Sequence, residues 1–273
     1  MILFFAGTEP KDYREVAKIK GVKNILQSYY SLGCGKNPPN NNDFPNYLLD
    51  SGGFSARQHG IDIDVKTYAE YLNRYKIKFA FNLDIVDNNV SLENQRYLES
   101  HTNTYIMPVY HGNEWLSKKW DGLLDYYIEY YPYIALGGMA GKENGKANLP
   151  KFLNYVFSKT KNKTMVHGLG MTSKPFLKQY PFFSVDSTSW MSVCRFANSN
   201  IYSPEMAKVN ARKRHWKQNL ANEVPYWQKL EKDITKLWKS RGIEWSGFDY
   251  DKFMSMRGKD IPTFKEWKEK HNG

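Results

Sequence analysis

Short apolar runs alternate with longer amphipathic stretches along the first two-thirds of this chain, and that rhythm leaves few folds open. Eight runs rich in β-branched and aromatic residues occupy Ile2–Ala6, Asn24–Tyr30, Tyr47–Asp50, Lys78–Asp84, Tyr105–His111, Tyr133–Gly138, Met165–Gly170 and Phe182–Ser187. Small or polar residues follow each run. The spacers include helical candidates such as Val65–Tyr75, where Tyr68, Leu72 and Tyr75 share a face, and Leu116–Tyr130. Strands that alternate with helices return by crossover and pair in parallel. Eight such units predict an α/β fold, a (β/α)8 TIM-type barrel; because some spacers are short, a doubly wound open sheet is the alternative.

After about Ser203 the rhythm changes. Pro225–Arg241 reads as a helix, with Trp227, Leu230, Ile234, Leu237 and Trp238 at i, i+3, i+4 spacing and Gly242 as its stop. The expected organisation is therefore a catalytic barrel over residues 1–203 and a helical C-terminal extension over residues 204–273 packed on it. Helical periodicity explains the aromatic stripe as core. The patch Asn37–Asn42 reads as a loop.

Composition removes whole classes. With 273 residues the chain can bury a large core without staples. Charged residues make up 25% and mean hydropathy is -0.67, and no apolar run approaches the roughly 18–20 residues of a spanning helix. The reading is a non-membrane protein. Met1–Ala6 lacks a basic leader and is expected as a buried first strand. Two cysteines, Cys34 and Cys194, are too few for a disulfide framework or a Cys-rich zinc site, which fits a cytoplasmic location. The net charge is +11, and residues 142–217 hold 14 Lys/Arg against 3 Asp/Glu. Such a concentrated surplus suits a polyanion partner, since phosphate neutralisation supplies most non-specific nucleic-acid affinity; a solvated basic face is the other reading.

In a parallel barrel the chemistry gathers at the C-terminal strand ends. Asp50, Asp84, His111, Gly137, Gly138, His167 and Asp186 end or nearly end the runs. Each carboxylate taken alone also fits a helix cap or a satisfied buried hydrogen bond. Three carboxylates and two imidazoles together point to a site. Leu48–Phe54 reads LLDSGGF, an acid before a Ser51-Gly52-Gly53 turn whose backbone can approach a planar ligand, and Ala135–Gly141 reads ALGGMAG, a second such turn through Met139. No GxxxxGK[ST] and no GxGxxG opening a helix occurs, which weakens nucleotide-loop readings.

DSGGF on the third run, NLDIV ending the fourth, GGMA after the sixth, HGLG in the seventh and SVDST ending the eighth together resemble the tRNA-guanine transglycosylases. The resemblance runs over about Tyr47–Trp190 with motif order preserved, and DSGGF is its most specific element. That superfamily has a (β/α)8 barrel and exchanges guanine in a nucleic acid for a 7-deazaguanine. The resemblance implies Asp186 as the nucleophile on the ribosyl C1′ and Asp50 as general acid/base. It places Asp84 at the purine edge, with Gly137, Gly138 and Met139 across the pocket and Ser51 and Gly52 beside it. His111 falls where the family presents a base-contacting glutamine, and His167 is a pocket wall.

Departures narrow the substrate. Two cysteines cannot form the zinc motif of the tRNA enzymes, and the segment after Asp186, STSWMSVCRF, lacks the Pro-Thr-Arg pattern of the bacterial ones. The chain looks more like the shortened phage and bacterial relatives that place 7-deazaguanines in DNA, which makes DNA the expected partner and tRNA the alternative. A phage-encoded protein would then act in the cytoplasm of a bacterial host. The free base would be a 7-deazaguanine such as preQ0, and no cofactor or metal is expected. Arg212, Lys213, Arg214 and Lys217 are the candidate strand-holding cations. Trp190 fits both stacking near the target base and ordinary barrel-to-helix packing. A non-catalytic nucleic-acid-binding barrel and a metal-dependent hydrolase using His111, His167 and Asp residues at the barrel ends are the competing classes.

Overall fold

The computed structural model describes residues 1–85, 88–138, 145–195 and 216–272. Nine strands form one parallel sheet: β1 (Ile2–Ala6), β2 (Asn24–Ser28), β3 (Asn46–Asp50), β4 (Phe79–Phe81), β5 (Tyr105–Met107), β6 (Val109–His111), β7 (Tyr133–Gly137), β8 (Met165–Gly168) and β9 (Ser184–Ser187). Their order is β5-β4-β3-β2-β1-β9-β8-β7-β6. The two edge strands are consecutive in the chain, with Pro108 alone between them, so the sheet is nearly closed into a barrel.

Nine strands replace the expected eight because Pro108 divides the run Tyr105–His111. Proline has no N–H for a ladder and fixes φ, so a strand ends or changes partner there. Before it, Met107 O accepts from Asn82 N at 3.0 Å; after it, Pro108 O accepts from Ala135 N at 2.9 Å. The chain thus passes from β4 to β7 at this residue. Tyr105 bridges the seam from inside: its hydroxyl donates to Tyr133 O at 2.9 Å and accepts from Tyr133 N at 3.1 Å.

Side chains alternate between two buried layers, as parallel strands covered on both faces require. Phe4, Ala6, Leu26, Leu48, Phe81, Met107, Val109 and Ala135 fill the interior, whereas Leu3, Phe5, Ile25, Leu49, Ile106, Ile134 and Val185 meet the outer helices. The N-terminal mouth is stoppered by a later segment. Phe248 lies 4.2 Å from Phe79 and 5.4 Å from Phe4, and Phe253 lies 5.1 Å from Tyr133 and 5.6 Å from Phe79 by ring centroids. Phe79 and Tyr133 begin their strands, so the opposite, C-terminal mouth is left for chemistry.

Several boundaries differ from expectation. The helix expected over Leu116–Tyr130 is interrupted: Gly112–Leu116 and Leu123–Tyr130 flank a short 3-10 turn at Lys118–Trp120. Gly122, at φ 86°, makes the break. The helix expected from Pro225 starts earlier and spans Trp216–Ser240, with Pro225 inside it. Proline cannot donate its ladder bond, and burial of Leu220, Val224, Trp227, Leu230, Ile234 and Trp238 along one face offsets the loss. This helix is tied to the barrel by Glu231 Oε1, which accepts from Leu3 N at 3.2 Å and Asn24 Nδ2 at 3.1 Å. Among the described residues no helix is long and apolar enough to cross a membrane.

Candidate active site

Asp50 is the last residue of β3, and its parity with Leu48 turns its side chain inward. The turn that follows is forced by glycine. Gly52 sits at φ 72°, and a Cβ there would lie 2.3 Å from Ser28 Oγ and 2.5 Å from Tyr30 Cβ. Gly53 passes so close to the next strand end that its Cβ would meet Asp84 O at 3.0 Å. Ser51 is fully buried and its Oγ accepts from Gly53 N at 3.4 Å, bracing the turn. The result is a partly buried carboxyl among other acids. Burial and the nearby Asp84 charge, with smaller contributions from Asp186 and Glu9, raise the Asp50 pKa to about 7 against the opposing Gly52 amide.

Asp84 lies three residues beyond β4, which is shorter than expected. Its Oδ2 is 2.6 Å from His111 Nε2. Burial works against an imidazolium at His111, but the hydrogen bond and charge of Asp84 and the charge of Glu114 outweigh it and raise the pKa above the ordinary histidine value. Glu114 Oε2 accepts from His111 N at 2.7 Å. Burial brings the pKa of Glu114 to about 7, with His111 opposing. Gly137 gives the imidazole its space: a Cβ would lie 2.4 Å from His111 Cε1 and 2.7 Å from Nδ1. The first glycine of the GG pair is thus a strand residue that admits His111.

Asp186 is held from two sides. Its Oδ1 accepts from Gly170 N at 2.9 Å and is 3.1 Å from His167 Nε2. Gly170 reaches it from a left-handed conformation at φ 65°. Among the described residues Oδ2 has no hydrogen-bond partner, and the side chain is 11% exposed. His167 is wholly buried, against Phe4 and Phe81. It therefore supports the carboxylate from below rather than forming a pocket wall. Its Nδ1 is 2.7 Å from Ser184 Oγ, which in turn meets the Tyr133 hydroxyl.

Three carboxylates and two imidazoles thus converge at the C-terminal mouth, each carboxylate either feeling another's charge or held by an imidazole. A protein of Sulfolobus islandicus rod-shaped virus 1, uncharacterized protein 306, is 28% identical over 156 residues, 54% of this chain and 50% of that protein. The chain therefore spans about half the length of this relative. No family model matches the chain.

The remaining expected residues separate into four groups. Gly138 follows β7 at φ 71° and is exposed at the mouth. Met139, Arg212, Lys213 and Arg214 lie outside the described residues. Lys217 is exposed and ion-paired to Asp12 at 2.7 Å. Trp190 is buried at 1% exposure; its Nε1 donates to Ala6 O at 2.8 Å and its ring packs 5.5 Å from Phe5. Packing against the outer layer therefore holds it.

Four residues of the site escaped the sequence reading. Glu9, whose Oε1 accepts from Ser28 N at 2.9 Å, adds a fourth acid from the loop after β1. Its signal was an acid shortly after the first run, parallel to the acids after later ones. Glu114 could have been found as the acid three residues after His111 at a helix start. Tyr133 and Ser184 start their strands and gave no local signal. Among the described residues no group of three or more His, Cys, Asp or Glu side chains is arranged to hold a metal.

Proposed function

We propose that this chain is a nucleic-acid guanine transglycosylase that exchanges guanine for a 7-deazaguanine base in DNA. Taking β5 and β6 as two halves of one strand gives the eight-stranded (β/α)8 barrel that this reading requires. The observation that carries it is the pairing of Asp50, poised near neutrality, with Asp186, anchored through one oxygen, at the same barrel end.

Two carboxylates with these properties suit a double displacement at an anomeric carbon. The Asp186 carboxylate attacks the deoxyribosyl C1′, forming a C1′–O bond as the C1′–N9 bond breaks. Protonated Asp50 supplies the proton that guanine takes up on leaving. The incoming base then gives its N9 proton to Asp50, N9 attacks C1′, and the aspartyl C1′–O bond breaks to restore Asp186. A group titrating near pH 7 can both donate and accept under physiological conditions. Asp84, with one oxygen on His111, presents the other to the purine edge, and Gly138 borders the opposite side. A guanine inside a duplex is out of reach, so the target must be flipped or single-stranded.

Incubation with guanine-containing DNA followed by a denaturing gel should trap a protein–DNA species, and Asp186→Ala should abolish it. Full base exchange by Asp186→Ala would remove the nucleophile assignment. Incorporation of labelled guanine or preQ0 into DNA and tRNA, measured side by side, chooses the polymer: preferential labelling of tRNA overturns the DNA reading.

A further inference from the structure

The line of hydrogen bonds below Asp186 has a direction. Oδ1 of Asp186, both nitrogens of His167, Ser184 Oγ and the Tyr133 hydroxyl follow one another into the barrel, with His167, Ser184 and Tyr133 wholly buried. Phe183 and Phe253 pack on the Tyr133 ring, and Phe4 and Phe81 on the His167 ring. A hydrogen left without an acceptor in such surroundings is strongly disfavoured, because the desolvation of its donor is not offset.

Only one protonation pattern of His167 gives every donor an acceptor. Burial raises the Tyr133 pKa well above that of a free phenol, so its oxygen carries a hydrogen. Among the described residues that hydrogen has two acceptors within reach, Ser184 Oγ and, at 3.4 Å, His167 Nδ1. If Nδ1 held a proton, the hydrogens of Nδ1, Ser184 and Tyr133 would have only the two hydroxyl oxygens to accept them, the Ser184–Tyr133 contact could carry just one, and one hydrogen would be stranded. The consistent chain runs Tyr133 O–H to Ser184, Ser184 O–H to Nδ1, and Nε2–H to Asp186. Gly170 N–H on the same Oδ1 requires that oxygen to be an acceptor, which agrees.

We infer that His167 is a positioning residue: a neutral imidazole, locked by Ser184 and Tyr133 as the Nε2–H tautomer, that fixes the Asp186 carboxylate so that Oδ2 faces the reacting carbon. This role rests on the transglycosylase reading; the tautomer does not. Ser184, His167 and Asp186 also have the composition of a hydrolytic triad. Ser184 is 0% exposed beneath His167, with its O–H committed to Nδ1, so it meets no substrate.

Nitrogen-15 NMR of the labelled full chain without substrate tests the tautomer, the His167 signals being those that vanish in His167→Gln. The expected result is a protonated Nε2 and a bare Nδ1. An imidazolium or an Nδ1–H tautomer overturns the inference. Kinetics test the positioning. His167→Gln sets an amide N–H near the Nε2 position and should keep exchange within about tenfold, whereas His167→Asn stops short and should lower kcat about 100-fold at unchanged KM. Equal losses in the two variants, or full activity in His167→Asn while Asp186→Ala is inactive, overturn the positioning role and leave the transglycosylase reading standing.

Discussion

Asp50 keeps its proton at a pH where a carboxyl has ordinarily lost it, and that preference works against the folded state in alkaline solution. Its pKa rises from 3.8 to about 7 on folding. Below pH 3.8 both states are protonated and nothing is lost. Between these values the folded chain binds more protons than the unfolded one, so stability falls as pH rises, and above about 7 the full penalty is present. Asp50→Asn removes the charge and should raise stability at pH 8 by roughly 2–4 kcal/mol, with the gain vanishing near pH 4. Urea melts at the two pH values check this, and base exchange should be lost in the same variant. A stability gain of equal size at both pH values would place the effect outside this ionisation. The acids and imidazoles of the mouth were legible because each stands at the end of an apolar run. Their partners were not. The contact of Gly137 with His111, or of Ser184 with His167 and Tyr133, depends on which strands become neighbours, and no local pattern encodes that. Trp190 shows the converse: proximity to Asp186 in sequence suggested the mouth, but three residues beyond the end of β9 the chain has turned back onto the outer layer.

Among the elements, the short helix Tyr250–Met256 and the residues before it do more than decorate the barrel. Phe253 is wholly buried among Phe79, Tyr105, Tyr133 and Phe183. Phe253→Ala should therefore cost about 3–5 kcal/mol, a core value rather than a surface one. Chemical denaturation measures it, and a loss below about 1 kcal/mol would mean that the mouth closes without this ring. The strands were legible through their apolar runs, since both faces of a parallel sheet are buried. Their ends were less so, because residues such as Tyr30, Leu83 and Asp84 continue the apolar or acidic pattern after the ladder has stopped. Pro108 was visible as a residue, but the change of partner at it follows from the neighbours on either side. The tail from Trp245 to Phe253 read as an extension on the outside because aromatic residues at irregular spacing carry no periodicity.

For the whole molecule, charge is unevenly placed. Acids crowd the mouth, and the surplus of Lys and Arg lies in residues 142–217. In the proposed transglycosylase, the polyanion should be held by the second group of residues and repelled by the first except where its target base enters. Charge reversal at Arg212, Lys213 and Arg214 should weaken DNA binding and flatten the dependence of log K on log salt, the slope falling by about 0.7–0.9 for every phosphate that is no longer neutralised. Binding titrations at several salt concentrations read this; an unchanged slope would make the cluster an ordinary solvated face. The stopper in the N-terminal mouth has a further consequence, in the order of assembly. Phe248 and Phe253 join Phe4, Phe79 and Tyr133 across much of the chain, so their docking must await strands already in place, and such distant closures are slow. Packing that forms last is absent from the folding transition state. Phe253→Ala should then accelerate unfolding while the refolding rate stays as it is, and the grip of the stopper sets how long a finished barrel survives rather than how quickly one forms.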